Sequence, residues 1–394
     1  MKRRVTTKPA IRIGLLFSLT GPYATICRSM AAGARLAIEE LAVDPAMPFR
    51  LEPVALDPGG QTQAYADAAR RLLVDERITH VVGCYTSSSR KEVLPLFEKH
   101  DALLWYPSHY EGFESSENVV YTGAAPNQHI IPLVEYLLRA VGRRCWCIGS
   151  NYIWAWENNK IMREAILGAG GTVMAERYVP VGETDLEPIV TQILDARPDF
   201  VFNTLIGDSA YAFFRSLRRL ARARGIDQPK AIPVASCSLA EPELVEIGPE
   251  AADGHLSSSV YFEAVETTSN GAFIRAFKRR FPELGPTSAD AEASYVTVHL
   301  LGRALRDADG SSVEAVLRAV TTITFDAPQG PVRIEPANRH AHLTPRIGLS
   351  TATGGFRVIY EAPRPVPPDP YLVWHEPREV AQPRRQSPSL RVVR

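Results

Sequence analysis

Hydroxyl, phenol and aromatic side chains recur at six points along this chain, each directly after a short apolar run typical of a β-strand. In open α/β sheets, ligands bind just beyond the carboxyl ends of the strands. We therefore interpret the residues that follow these runs as candidate ligand contacts. They occupy positions 18–21, 85–89, 106–110, 150–154, 205–209 and 236–238.

The chemistry of this set indicates a small polar ligand. Hydroxyl groups both donate and accept hydrogen bonds, and aromatic rings supply flat walls. Helices that begin after the strands add unpaired backbone N–H groups. Such a site suits a neutral or zwitterionic molecule held by several hydrogen bonds. Any single Ser or Thr at a helix start can equally be an N-cap, so the prediction depends on all six strand ends together.

Asp208 is the carboxylate of the set. It can accept a hydrogen bond from the NH2 group of an amide or urea, or pair with the ammonium of an amino acid. It can also simply stabilise the N-terminus of a helix through the helix dipole. The residue types leave these three alternatives open.

Residue types that support catalysis occur without the partners that they need. Gly207-Asp-Ser209 resembles the opening of a serine hydrolase motif, but it lies mid-chain rather than near the N-terminus. His109 has no cysteine or acidic partner beside it in the sequence. His340 and His342 lie in a polar segment without a third ligand, so we expect them on the surface. We therefore expect no enzymatic activity, no metal and no cofactor.

Apolar runs alternate with segments of helical periodicity from residue 11 to about residue 247. This alternation predicts parallel sheets covered by helices on both faces. There are too many units for one doubly wound sheet, so we predict an α/β protein with two doubly wound parallel-sheet lobes. The regularity is interrupted at 255–261, 326–330 and 346–350. Ser89 and Glu92 have the spacing of a capping box that opens one helix.

The composition limits partners and compartment. Lys plus Arg equals Asp plus Glu at 44 each, which gives no electrostatic reason to expect nucleic acid or an anionic membrane as partner. The five cysteines include no CxxC pair, and we expect buried free thiols, which favour a reducing compartment. The tail over 380–394 has too few apolar residues to pack, and we expect it to be disordered.

The N-terminal region has two interpretations. A basic start followed by apolar residues 13–19 resembles a secretion signal, but Lys8, Pro9 and Arg12 interrupt it. We favour a first β-strand over residues 11–17, and therefore expect a cytoplasmic protein. A misassigned start codon would instead make a periplasmic protein the alternative. No apolar run approaches the roughly 20 residues needed to span a bilayer.

Several stretches resemble the type I periplasmic-binding-protein superfamily, in its leucine/isoleucine/valine-binding branch. They are Val82-Gly-Cys-Tyr-Thr-Ser87, Tyr110-Glu-Gly-Phe113, Ala125-Pro-Asn-Gln128 and Asp326-Ala-Pro-Gln-Gly-Pro-Val332. Within this branch, stretches 26–29, 57–60 and 368–371 are similar to amide sensors that negatively regulate aliphatic amidase expression. Stretches 121–126 and 203–209 are similar to the urea-binding component of urea ABC transporters.

The resemblance implies a three-strand hinge between the lobes, with crossings near residues 124, 256 and 335. One lobe then comprises 10–124 plus 257–335, and the other 125–256 plus 336–376. It also implies ligand contacts at Tyr85, Ser87, Tyr106, Ser108 and Tyr152. At two further contact positions, His109 stands where the amide sensors have a proline and Trp154 where they have a tyrosine. Together with the strand-end residues Gly207, Asp208 and Ser236, these are the candidate site residues.

The function implied by the resemblance is closure of the two lobes on a small amide or urea. The first expectation is a cytoplasmic sensor and negative regulator of amide-utilisation genes, with an RNA-binding antiterminator protein as partner. The alternative is the extracytoplasmic substrate-binding component of an ABC transporter for urea, short amides or branched-chain amino acids, with an ABC permease as partner. Neither involves direct nucleic-acid binding, and the sequence leaves a homodimer open.

Overall fold

The structure, a computed structural model, describes residues 8–310 and 312–373. The apolar run near the N-terminus forms a strand inside a sheet, as predicted. This strand, Ala10–Leu16, pairs in parallel with Arg50–Leu56 on one side and with His80–Gly83 on the other. The predicted disordered tail at 380–394 lies outside the described residues. Within 8–310 and 312–373, no helix combines the length and apolar character needed to cross a bilayer.

The first lobe contains a five-stranded parallel sheet in the order β2-β1-β3-β4-β5. From β1 to β4 its strands and helices alternate along the chain, so that each helix returns the chain to start the next parallel strand, whereas a loop without a helix joins β4 to β5. The elements are β1 (Ala10–Leu16), α1 (Ala24–Val43), β2 (Arg50–Leu56), α2 (Thr62–Arg70, continued by a wider turn at Arg71–Asp75), β3 (His80–Gly83), α3 (Ser87–Lys99), β4 (Leu103–Tyr106) and β5 (Val119–Tyr121).

The second lobe contains a seven-stranded sheet in the order β15-β14-β10-β9-β8-β6-β7. After a 3-10 turn at Pro126–Gln128, the chain builds its parallel part from β6 to β10. The elements are α4 (Ile130–Ala140), β6 (Arg144–Ser150), α5 (Ile153–Gly168), β7 (Thr172–Val179), α6 (Glu187–Ala196), β8 (Phe200–Thr204), α7 (Asp208–Ala223), α8 (Gln228–Ala231), β9 (Val234–Ser236), α9 (Glu241–Ile247) and β10 (Leu256–Ser259).

The chain then returns to the first lobe and finally adds two antiparallel strands to the second sheet. Where α11 crosses α1 the backbones approach so closely that a Cβ on Gly33 would lie 2.0 Å from the carbonyl oxygen of Ala291. The elements are α10 (Thr268–Arg280), a 3-10 turn (Pro282–Leu284), α11 (Ala289–Asp307), α12 (Val313–Val320), β11 (Thr324–Ala327), β12 (Gly330–Ile334), β13 (Ala341–His342), β14 (Arg346–Ser350) and β15 (Phe356–Glu361).

The predicted α/β class with two lobes and parallel sheets is therefore confirmed. The three interruptions in the sequence pattern coincide with β10, with the hairpin of β11 and β12, and with β14. β10 pairs with β9 and β14 of the second sheet, so the chain leaves that sheet after residue 259. The lobe limits near 124, 256 and 335 stay predictions.

Two local expectations were wrong. The side chain of Thr86, rather than a Ser89 capping box, caps α3 by accepting from the Ser89 N–H at 3.1 Å, so the helix begins at Ser87. His340 and His342 are buried rather than on the surface. The ring of His340 stacks on the ring of Tyr121, with the two centroids 4.1 Å apart. The two residues meet because the segment before β13, which contains His340, pairs with β5 at Tyr121.

Candidate functional site

Loops that follow four strands meet at one cavity of about 210 Å³ between the two lobes. These loops follow β3 and β4 in the first lobe and β6 and β8 in the second. The lining residues are Tyr85, Ser87 and His109 from the first lobe, and Tyr152, Trp154 and Ile206 from the second. This location, beyond the carboxyl ends of parallel strands, is where the strand-end rule places a ligand.

The first-lobe wall is built by the turn between β3 and α3. Tyr85 lies in this turn, and its ring packs against Tyr23 with centroids 5.4 Å apart. The hydroxyl of Tyr106 donates to the backbone carbonyl of Tyr85 at 2.9 Å. Tyr106 therefore positions the wall from behind, and its own side chain is not among the lining residues.

Ser87 begins α3 and connects the cavity to a buried charge network. Its hydroxyl donates to the carboxylate of Glu111 and lies 3.3 Å from Nη1 of Arg90. Arg90 is fully buried, 4.7 Å from the ring centroids of both Tyr106 and Tyr110, and it pairs with Glu111.

A second carboxylate, Glu114, completes this network by pairing with Arg90 at 2.7 Å. Burial alone raises the pKa of Glu114, but the charges of Arg90 and Lys91 outweigh it and lower the pKa to about 2. The two carboxylates therefore balance the charge of the Arg90 guanidinium behind Ser87. The cavity is lined at this point by the Ser87 hydroxyl and not by a cation.

The second-lobe wall is aromatic. Tyr152 precedes α5, and Trp154 lies in its first turn with the two rings stacked at 6.1 Å. The imidazole of His109 meets the indole edge-on, with centroids 5.4 Å apart, across the boundary between the lobes. Trp154 is 3% exposed, and its indole N–H has no hydrogen-bond partner among the described residues.

The titratable groups of the cavity are uncharged near neutral pH. Burial, together with the neighbouring His129, lowers the pKa of His109 to about 3. Burial also raises the pKa values of the Tyr85 and Tyr152 phenols well above their usual range. A neutral imidazole offers one donor and one acceptor, and each phenol can donate and accept. The lining thus combines hydrogen-bonding groups without a formal charge.

Five of the ten predicted site residues line the cavity: Tyr85, Ser87, His109, Tyr152 and Trp154. The other five, Tyr106, Ser108, Gly207, Asp208 and Ser236, do not. Ser108 is buried, and its hydroxyl has no partner within the described part of the chain. The Asp208 side chain is exposed to solvent. Ser236 accepts from the Ser238 N–H at 3.2 Å and so stabilises the turn after β9.

Ile206 is the lining residue that sequence reasoning missed. It lies in the predicted stretch 205–209, from which the polar Asp208 and the glycine beside it were chosen instead. The only signal that could have found it was its position two residues after β8, since an apolar side chain carries no hydrogen-bonding chemistry. It adds an apolar surface to an otherwise polar and aromatic cavity.

The two lobes touch beside the cavity. The backbone N–H of Asp208 donates to the carbonyl oxygen of Pro22 at 3.1 Å, and Thr25 donates to Glu246 at 3.3 Å. Gly207 adopts φ 57° and ψ −137° at this point, a conformation open to glycine. The structure therefore has the lobes closed around the cavity. In the described residues, no group of three His, Cys, Asp or Glu side chains could hold a metal ion.

A cleft cavity closed by two α/β lobes and lined by neutral hydrogen-bonding groups defines a solute-binding protein rather than an enzyme. Residues 11–377 match the family model of the periplasmic binding protein domain. The chain belongs to this family.

Individual relatives share low sequence identity with this chain. The Leu/Ile/Val-binding protein homolog 6 of Brucella abortus is 21% identical over 336 residues, which is 84% of this chain and 85% of that protein. A limonene hydroxylase of Geobacillus stearothermophilus is 25% identical over 126 residues. That match covers 32% of this chain and only 23% of the length of the hydroxylase.

Solved structures share the fold. A solute-binding protein of an ABC transporter from R. palustris in complex with 4-hydroxybenzoate superposes with a TM-score of 0.80 at 20% identity, covering 91% of this chain and 98% of that one. A branched-chain amino acid transporter substrate-binding protein from Streptococcus pneumoniae in complex with isoleucine gives 0.77 at 20% identity, covering 89% and 98%.

Proposed function

We propose that this protein is a receptor for a small uncharged amide or urea, and that it acts as a ligand sensor that regulates amide-utilisation genes. The observation that carries the proposal is the absence of any charged side chain from the six that line the cavity. The carbonyl oxygen of an amide would accept from the Trp154 indole and a phenol, while its NH2 group would donate to Ser87 or His109.

Charged ligands fit this lining less well. The carboxylate of an amino acid or a benzoate would need a cation, but Arg90 is already paired with Glu111 and Glu114 behind Ser87. Burying an uncompensated charge costs several kcal/mol, roughly the whole affinity available to a small ligand.

The ligand's size limits its affinity. Urea and acetamide have four heavy atoms each, and at a ceiling of about 1.5 kcal/mol per atom binding reaches roughly −6 kcal/mol, on the order of tens of micromolar. The fraction of the protein in the closed state then rises with ligand concentration, because the ligand binds the closed state better than the open one. A partner that distinguishes the two states would report the concentration.

A thermal-shift screen tests the ligand class. Acetamide and acetate have nearly the same shape but differ in charge, so acetamide should raise the melting temperature and acetate should not. Ligand at 100 times its Kd should stabilise the protein by about 2.7 kcal/mol. Ser87→Ala and Tyr152→Ala should abolish the shift, because each removes a hydroxyl that lines the cavity. A larger shift with isoleucine or 4-hydroxybenzoate than with any amide or urea would show that the assignment is wrong.

The second candidate function is the substrate-binding component of an ABC transporter, the class to which the similar solute-binding proteins from R. palustris and Streptococcus pneumoniae belong. A transporter component would bind its ligand in the same cavity as a sensor would. The two functions differ in the compartment of the protein and in its partner. We favour a cytoplasmic sensor, with an RNA-binding antiterminator as partner, because all five cysteines are buried free thiols. Fractionation of native cells, with mass spectrometry of the protein's N-terminus, separates the two functions. A processed, exported protein would exclude the sensor.

A further inference from the structure

A second cavity, a groove of about 1,150 Å³, shares no lining residue with the ligand cavity. It lies between the first residues of α9, the segment that joins β10 to α10, the turn before α11, and the turn between β14 and β15. α9 and the β14–β15 turn belong to the second lobe, whereas α10 and the turn before α11 belong to the first. The groove therefore spans both lobes. It is also open to solvent.

One carboxylate oxygen in this groove is left without a partner. Glu241 lines the groove but is only 2% exposed. Its Oε1 accepts the backbone N–H of Glu263 at 2.7 Å, whereas its Oε2 has no hydrogen-bond partner among the residues described. A buried acceptor left unpaired costs about 1–3 kcal/mol, and more when it is charged. The groove thus contains an acceptor that a ligand donor would satisfy.

The other charged groups of the groove satisfy each other. One oxygen of Glu263 accepts from the ammonium of Lys278, and the other accepts from the backbone N–H and the hydroxyl of Thr287, at 2.8 and 3.1 Å. Lys278 is therefore committed to Glu263. Of the carboxylates that line the groove, Glu241 keeps an oxygen free for a cation.

The surface beside Glu241 is apolar. Val245, one turn further along α9, lines the groove and is 59% exposed, and Phe356 lines it from the opposite turn. An acceptor next to apolar side chains suits a molecule that carries a positive charge at one end and hydrocarbon at the other. Two carboxylates without a third ligand nearby do not form a metal site.

We propose that this groove binds a small organic cation of the alkylammonium class, with its ammonium donating to Oε2 of Glu241 and its alkyl chain against Val245 and Phe356. Burial is the main cause that raises the pKa of Glu241 to about 8; the charge of Glu263 adds to this rise, and the backbone hydrogen bond from Glu263 and the charge of Lys278 oppose it. A bound ammonium favours the ionised carboxylate, so binding below pH 8 releases a proton from Glu241. The site shares no lining residue with the amide cavity.

Isothermal titration calorimetry at pH 8.5 tests the proposal on the full-length protein without any amide or urea present. n-Butylammonium chloride should bind saturably, while 1-butanol and potassium chloride should not. Glu241→Gln should weaken the binding of n-butylammonium at least about tenfold, because it keeps the acceptor for the Glu263 N–H but removes the charge. Glu266→Gln is the matched control, since Glu266 is an exposed carboxylate in the segment that joins β10 to α10 and lies outside the groove lining, and it should bind normally.

Three results would overturn the proposal: no saturable n-butylammonium binding to the unmodified protein, equal binding of 1-butanol, or equal affinity of the Glu241→Gln variant. If circular dichroism shows that this variant does not fold, Val245→Lys replaces it. That exposed position tolerates substitution, and a lysine there should repel the ligand and weaken binding. Unchanged affinity in Val245→Lys would then overturn the proposal.

Discussion

Trp154 carries the most specific chemistry of the cavity, because its indole N–H is a donor without a protein acceptor in the described chain. An indole can donate but cannot accept, so a ligand that meets it must present an acceptor. The carbonyl oxygen of an amide or urea is such an acceptor. The neutral His109 beside it can complete the pairing, since it offers a donor and an acceptor on one ring.

Trp154→Phe removes this donor while keeping an aromatic wall. We expect the affinity for acetamide or urea to fall by roughly 2- to 12-fold, the equivalent of one neutral hydrogen bond at about 0.5–1.5 kcal/mol. Calorimetric titration would measure the change.

Trp146→Phe is the matched control for this prediction. Trp146 is equally buried, at 4% exposed, and its indole N–H also lacks a partner in the described residues, but it does not line the cavity. Its substitution should leave affinity unchanged. Equal losses in the two variants would mean that Trp154 acts through stability rather than through contact with the ligand.

At the scale of single residues, the sequence predicted which positions lie near the cavity better than it predicted where their side chains point. The strand-end rule placed Tyr85 and Trp154 correctly at the cavity, because it depends only on where strands stop. It could not tell that Tyr106 points into the core, or that Asp208 points into solvent while only its backbone N–H contacts the other lobe. Those directions depend on tertiary packing, which a strand pattern does not contain.

The turns between elements set how closely the lobes approach. The turn between β8 and α7 supplies Ile206 to the cavity and then meets the turn between β1 and α1. At the meeting point Gly207 leaves no room for a side chain, since a Cβ there would lie 1.9 Å from the carbonyl oxygen of Pro22. This glycine is therefore needed for closure as well as for its backbone conformation.

Gly207→Ala should weaken ligand binding at least about tenfold, because the added methyl group keeps the two turns apart and destabilises the closed state. Gly225→Ala is the control, since Gly225 also has a positive φ, 69°, but a Cβ there would meet nothing within 4 Å. The control should lose stability and keep its affinity, as measured by calorimetry and thermal melting. Equal affinities in the two variants would contradict a closure role for Gly207.

Element prediction succeeded where an apolar run was long and failed where the elements were short. The first strand, predicted over residues 11–17, is observed over Ala10–Leu16, because apolar residues extend over most of its length. β5 and β13, of three and two residues, were not predicted. Such strands exist because neighbouring strands pair with them, and the sequence of a two- or three-residue segment carries no period.

At the scale of the whole molecule, ionisable groups of both lobes are buried. Glu241 and Glu243 begin α9 in the second lobe, and Asp290 and Glu292 begin α11 in the first. All four are buried, and the burial raises the pKa to about 8 for the first two and about 7 for the others. The folded protein therefore keeps protons on carboxyl groups that the unfolded chain has already lost.

The sign of the pH dependence follows from this difference. An unfolded carboxyl loses its proton near pH 4, so between pH 4 and pH 8 the folded state binds more protons at these sites. Stability consequently falls as pH rises through this range. Buried histidines act in the opposite direction below about pH 6.5, because burial lowers their pKa and the unfolded chain takes up the protons. These are His80, His109, His129, His255 and His340.

We therefore expect the urea denaturation midpoint to be highest near pH 6 and to fall between pH 6.5 and pH 8.5, with no ligand present. Glu243→Gln should reduce the fall, because glutamine still accepts the Ala240 N–H, which Glu243 accepts at 3.0 Å, but cannot ionise. Glu250→Gln, at an exposed site, should leave the profile unchanged. A midpoint that rises from pH 6.5 to pH 8.5 would show that these carboxyls are already ionised in the folded protein.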